Sequence, residues 1–214
     1  MQPATALRAR IVATAAALGP DAPTLADPWT VRDLLAHLVL RESRPDAMPG
    51  IGIPLAPLRR HTAAVQAAIA EDDFGRTLAR FRDGPPRWSL ARTALAGRLS
   101  ETPELAVHLE DMVRAQPGWR PTEHDGPVAA ALWDSVRLSG RMLYRSAPVG
   151  VVAVAPGHGR SPLRRPRPGT GTVVLRGAPL ELLLHAFGRT SVSLAVVEGS
   201  DADVAALAEH RRAL

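Results

Sequence analysis

Glu104 and His108 stand four residues apart in the apolar stretch 102–115, and His37 lies in a second stretch of helical pattern, 31–44. Residues at i and i+4 share one face of a helix, so Glu104 and His108 can reach a single ion together. His37 would complete a set of two imidazoles and one carboxylate. Three protein ligands on a divalent ion leave a coordination position open to water or substrate, as in catalytic rather than closed structural sites. Such a set accepts zinc, iron, nickel or manganese. Taken alone, the Glu104–His108 pair also reads as an ordinary i, i+4 ion pair, and it is the distant His37 that adds weight to the metal reading.

Two further residues share these faces. Asp111, seven residues after Glu104, could orient His108 or a bound water, or fill the fourth ligand position, or pair with Arg114 toward solvent. Arg41, one turn beyond His37, could meet an anionic substrate or thiol in a cavity, or cover the surface with its aliphatic stem. His61, His124, His158, His185 and His210 have no spacing partner that suggests chelation and read as structural or surface residues.

Composition narrows the chemistry. The chain of 214 residues contains no cysteine and no lysine, so all 26 of its basic Lys/Arg residues are arginine. Disulfides, thiolate-bound metals, a protein thiol nucleophile and lysine Schiff bases are excluded. Any thiol chemistry must use an external thiol. The net charge of +5 is modest, and the excess of Ala, Gly, Pro and Arg fits a GC-rich bacterial genome better than selection for nucleic acid. No apolar run approaches the roughly 18 residues of a membrane span, and the first ten residues lack the pattern of a signal peptide. A cytoplasmic location without membrane association is expected.

Punctuation by proline, glycine and capping residues sets out the elements that must position these side chains. A helix over 3–18 ends at Gly19-Pro20, and Thr30 with Asp33 three residues later forms a capping box ahead of helix 31–44, stopped by Pro45. Residues 45–57 read as a loop. Helices follow over 57–71 and 74–83. Thr102 as N-cap with Pro103 at the first helical position opens the helix of Glu104 and His108, which runs to Ala115, and a further helix covers 125–146. Beyond 147 come β-branched segments 149–155, 172–175 and 191–197, with helices 178–188 and 201–212, in the order β-β-α-β-α. The expected class is α+β: a metal-binding four-helix bundle over 1–147 and a small α/β domain over 148–214. Residues 156–171, rich in proline and glycine and carrying Arg160, Arg164, Arg165 and Arg167, read as a mobile basic loop. Those arginines could touch phosphates, but aromatics are few and no reading helix is evident, so nucleic acid is not the expected partner.

Pro23-Thr24-Leu25, the run from Trp29 to Leu38 that ends in Ala36-His37-Leu38, and Glu104 with His108 and Asp111 together resemble the N-terminal bundle of mycothiol-dependent maleylpyruvate isomerases, within the DinB-like superfamily. Gly177 to Leu183 and Phe187-Gly188-Arg189 look like the small C-terminal domain that accompanies it. Gly84 to Trp88 and Arg114 to Trp119 are similar to an uncharacterised actinobacterial metal-binding subgroup. The resemblance implies that His37, Glu104 and His108 hold a divalent metal, zinc by family analogy, with mycothiol as cosubstrate. It also implies a cleft arginine at Arg189, where a helix-ending Gly-Arg is equally a natural C-cap. The expected function is a metal- and thiol-dependent isomerase or transferase acting on a small electrophilic or unsaturated acid. The alternative is a non-catalytic metal or small-ligand binding protein that keeps the site without the chemistry.

Overall fold

The computed structural model describes residues 2–87, 89 and 101–212, so Trp88 of the Gly84–Trp88 run lies outside the described residues. By compactness the chain divides into two units, Met1–Thr122 and Glu123–Leu214. The class is α+β.

The first unit is helical, with α1 at Pro3–Leu18, α2 at Val31–Ser43, α3 at Pro49–Gly52, α4 at Ala56–Ala70, α5 at Phe74–Asp83 and α6 at Thr102–Val113. Helix α2 is central: Val31, Leu34, Leu35, Ala36 and Leu40 are fully buried on it, with Leu38 and Val39 nearly so. Burial on all sides is what a near-continuous apolar helix requires. Leu7, Ile11 and Ala15 of α1, Phe81 of α5 and Leu105, Ala106, Leu109 and Met112 of α6 complete the core. Each large side chain so buried contributes about 1.5–3 kcal/mol against unfolding.

The start of α2 is built as its sequence predicts. The Thr30 N–H and hydroxyl both donate to Asp33 Oδ2 at 2.9 Å. The next two N–H groups are satisfied by the preceding loop, Val31 N donating to Ala22 O and Arg32 N to Pro20 O. Two expectations are corrected here. Residues 45–57 are not all loop, since Pro49–Gly52 forms the short helix α3. Thr102 is not an N-cap but is already helical, preceded by Glu101 with helical dihedrals, so Pro103 sits one position further in.

The second unit opens with α7, Gly126–Leu143, capped by Asp125, whose Oδ1 accepts from Val128 N at 3.0 Å. It continues through β1 (Gly150–Ala155), β2 (Gly159–Arg164), β3 (Thr172–Arg176), α8 (Pro179–Ala186), β4 (Val196–Glu198) and α9 (Asp201–Arg212). The sheet order is β2-β1-β3-β4, with β1 antiparallel to β2, parallel to β3, and β3 antiparallel to β4. Helix α7 packs on α8 and β2. The sequence reading placed this helix in the bundle, whereas its packing groups it with the sheet. Gly140 permits the approach, since a Cβ there would stand 3.0 Å from both Leu163 methyls.

The basic loop expected over 156–171 is also corrected. Six of its sixteen residues, Gly159–Arg164, form strand β2, joined to β1 by a tight turn in which Gly157 and Gly159 have φ of 78° and 122°. Pro162 fits because β2 is an edge strand, where a missing N–H costs no ladder bond on the open side. The last strand is shorter than the predicted 191–197, because Ser193 and Leu194 turn back onto Glu181: the Ser193 hydroxyl donates to Glu181 O, and Leu194 N to its carboxylate.

Candidate metal centre

Helices α2 and α6 each present one i, i+4 pair, His37 with Arg41 and Glu104 with His108, and the two pairs face one another. His37 Nε2 lies 3.5 Å and His108 Nε2 lies 3.8 Å from the same atom, Glu104 Oε1. The imidazole centroids are 5.4 Å apart, edge to face. One ligand atom from each of the three residues falls within 4.8 Å of the others. Donors bonded at about 2.1 Å in a tetrahedron are separated by about 3.4 Å, so the three donors fit a small divalent ion with little movement. The donor chemistry fits too, since two imidazoles and a carboxylate suit zinc and its first-row neighbours.

The surroundings prepare the histidines differently. His108 Nδ1 is 3.0 Å from Asp111 Oδ2, and the Asp111 side chain is fully buried. A carboxylate at Nδ1 holds the proton there and turns the Nε2 lone pair toward Glu104. Asp111 thus stands behind the ring rather than beside the other donors. Its backbone carbonyl, one of those left free at the end of α6, accepts from Leu25 N at 2.9 Å. Trp29, from the same loop, stacks at a tilt on His37 with centroids 4.9 Å apart. The loop before α2, itself pinned by Thr24 Oγ1 donating to Trp29 O at 2.7 Å, therefore supports both histidines. Burial lowers the His37 pKa, and the nearby His108 and Arg41 lower it further against the pull of Glu104. His37 is accordingly neutral, as a ligand must be. Its Nδ1 is buried without a hydrogen-bond partner among the described residues, so no second group sets its tautomer.

Arg41 reaches the same carboxylate oxygen, its Nε forming an ion pair with Glu104 Oε1 while both side chains are largely buried. Behind this layer lies a cluster that spacing did not reveal. Arg8 on α1 binds Glu42 Oε1 at 2.5 Å and Glu101 Oε1 at 2.7 Å, donates to Phe81 O at 2.8 Å, and lies over the Phe81 ring. Burial raises the Glu42 pKa, opposed by Arg8. The sequence does carry a sign of this cluster: Arg8 stands at i, i+3, i+7 with Ile11 and Ala15, on the buried face of α1, and Glu101 is one turn before Glu104. A second missed pair, Glu110 with Arg114 at 2.5 Å, is fully buried on another face of α6.

No family model matches the sequence, and neither does any curated protein. Among solved structures, two crystal structures of the mycothiol-dependent maleylpyruvate isomerase match, one of them an alanine-substituted mutant. The mutant superposes with a TM-score of 0.57 at 14% identity, and the other with 0.56 at 16%; each match covers 92% of this chain and 90% of the other. This chain has the fold of the mycothiol-dependent maleylpyruvate isomerase. At such identity the likeness is one of fold.

The isomerase fold spans both units of this chain, including the one that carries Arg189. There Gly188, with φ of 84°, ends α8, and Arg189 closes the turn: its N donates to Leu184 O at 2.9 Å and its Nη1 to Phe187 O at 2.8 Å. The C-cap expected as the plainer role of Arg189 is thus present. Among the described residues no helix is long and apolar enough to cross a membrane.

Proposed function

We propose that the chain binds one divalent ion, zinc foremost, through His37, Glu104 and His108, and acts as a thiol-dependent isomerase or transferase on a small electrophilic or unsaturated acid. The observation that carries this is the convergence of three ligand atoms from two helices within 4.8 Å, with a buried carboxylate behind one imidazole. The isomerase fold supports the choice of reaction class. So does the absence of cysteine, since a reaction of this kind then needs an external thiol such as mycothiol. The cytoplasm, where small thiols stay reduced, is the matching compartment.

A divalent ion held there would act as a Lewis acid, lowering the pKa of a thiol or water so that a nucleophile exists at neutral pH. The chain's own residues supply the rest. Glu104 and the two Nε2 atoms bind, Asp111 orients His108 through Nδ1, and Trp29 covers the His37 ring. With Asp111 engaged at Nδ1, His37, Glu104 and His108 would leave a position on the ion to water or substrate, which favours chemistry over a closed storage or structural shell. Arg41, beside Glu104, is the cation that would meet an anionic substrate.

Metal analysis of the purified protein, followed by titration with zinc, nickel, manganese and iron, tests the centre. One equivalent should bind, and His37→Ala or His108→Ala should abolish it. Turnover of unsaturated acids that requires both metal and mycothiol supports the reaction class. Binding without such turnover leaves the non-catalytic alternative, and wild-type binding retained in both variants removes the site.

A further inference from the structure

Glu104 Oε1 is asked to serve two cations. It faces His37 Nε2 and His108 Nε2 as the third donor of the trio, and it already carries the Arg41 guanidinium. Glu104 is the ion-pair partner of Arg41 among the described residues, and the Arg41 and Glu104 side chains are 22% and 17% exposed. A carboxylate oxygen gripped by a guanidinium is largely neutralised and has a lone pair committed. A divalent cation approaching the same oxygen meets that commitment and the repulsion of a second positive charge a few ångströms away, in surroundings that screen poorly.

We infer that Arg41 is a displaceable counter-ion, which holds Glu104 while the centre lacks its metal and, once Glu104 is taken, is freed to bind the carboxylate of a small acid beside the open position. This rests on the metal reading of His37, Glu104 and His108. Metal and carboxylate binding are then coupled through one side chain, and the coupling is reciprocal: whatever occupies Arg41 strengthens metal binding, and metal strengthens carboxylate binding by the same factor. The geometry suits this role. Arg41 lies one turn from His37 on α2, and its partial exposure leaves a path for a ligand to reach the guanidinium. The substrate class that follows is a small carboxylate whose anionic group lies within reach of Arg41 while its reactive end faces the ion.

The test is zinc affinity by competition with a chromophoric chelator, in chloride buffer and in sodium acetate of equal ionic strength, for the wild type, Arg41→Gln and Arg41→Lys. Arg41→Gln should bind zinc about tenfold more tightly than wild type in chloride, the loss of one charge-assisted competitor. Arg41→Lys, which keeps the charge without the planar fork, should fall between and decides the matter if the glutamine variant does not fold. Acetate should tighten zinc binding to the wild type by about fivefold and do so less in either variant. Equal or weaker zinc binding in the variants overturns the inference while leaving the metal centre standing, and so does an acetate effect of the same size in all three proteins. Zinc binding by none of them overturns the metal centre and this inference together.

Discussion

Asp111 sets the tautomer of His108: its Oδ2 lies 3.0 Å from Nδ1, on a fully buried side chain, so the opposite nitrogen is left to face Glu104. Replacing that carboxylate by an amide keeps the shape and an acceptor but removes the charge that raises the imidazole's basicity. Asp111→Asn should therefore weaken zinc binding by about tenfold or more, measured by chelator competition. Unchanged affinity would reduce Asp111 to a packing residue.

His37 lacks such a partner, and its environment resists protonation, chiefly through burial. In the unfolded chain the ring takes its proton near pH 6.5, whereas in the folded metal-free protein it does so only at lower pH. The unfolded state therefore binds more protons below that value. The contribution of His37 is fully present above pH 6.5 and is lost as the pH falls below it, at up to about 1.4 kcal/mol per pH unit until the folded value is reached. Urea unfolding of the metal-free protein between pH 7.5 and 5 should show this decline, and His37→Gln should flatten it. Equal slopes in the two proteins would contradict a buried, neutral His37.

Glu110 and Arg114, both fully buried, form a salt bridge one helical turn long, and Arg114 lies over the Trp119 ring at 4.6 Å. Arg114→Met leaves a carboxylate without its cation in the core and should cost about 3–5 kcal/mol in chemical denaturation. Adding Glu110→Gln should recover a large part of that loss. A double variant as unstable as the single one would show that the damage comes from packing rather than charge.

In the second unit, Gly140→Val places methyl groups where Leu163 already stands, 3.0 Å from the site of the new Cβ. Overpacking of this kind should destabilise the protein by about 1–3 kcal/mol, and Leu163→Ala should relieve it in part. If the two substitutions simply add in denaturation, α7 does not rest on β2 through this contact.

What the sequence made legible is what local chemistry determines. Thr30 and Asp33, and Gly19-Pro20, bound helices because caps and prolines act within a few residues, and the i, i+4 spacing places Glu104 with His108 without reference to anything distant. Strand β2 escaped because an edge strand tolerates Pro162 and the exposed Arg160, the composition of a loop. Helix α7 was read with the bundle, while compactness groups it with the sheet, because an amphipathic stripe says that a helix is covered, not by what. The same holds within the centre. Spacing put Arg41 near His37, but that it would take the very oxygen offered by Glu104 depends on how two helices face each other, which neither helix encodes alone. The Arg8 cluster went unread: Arg8 is a charge on the apolar stripe of α1, but its two carboxylate partners come from residues 42 and 101.

The amide of Leu25 ends on the carbonyl of the residue whose side chain holds His108. One proton thus sits two hydrogen bonds from His108, outside the donor set. With zinc, a diamagnetic ion, its hydrogen-exchange rate and nitrogen-15 chemical shift should change on filling of the proposed site, a readout that needs no substrate, thiol or turnover.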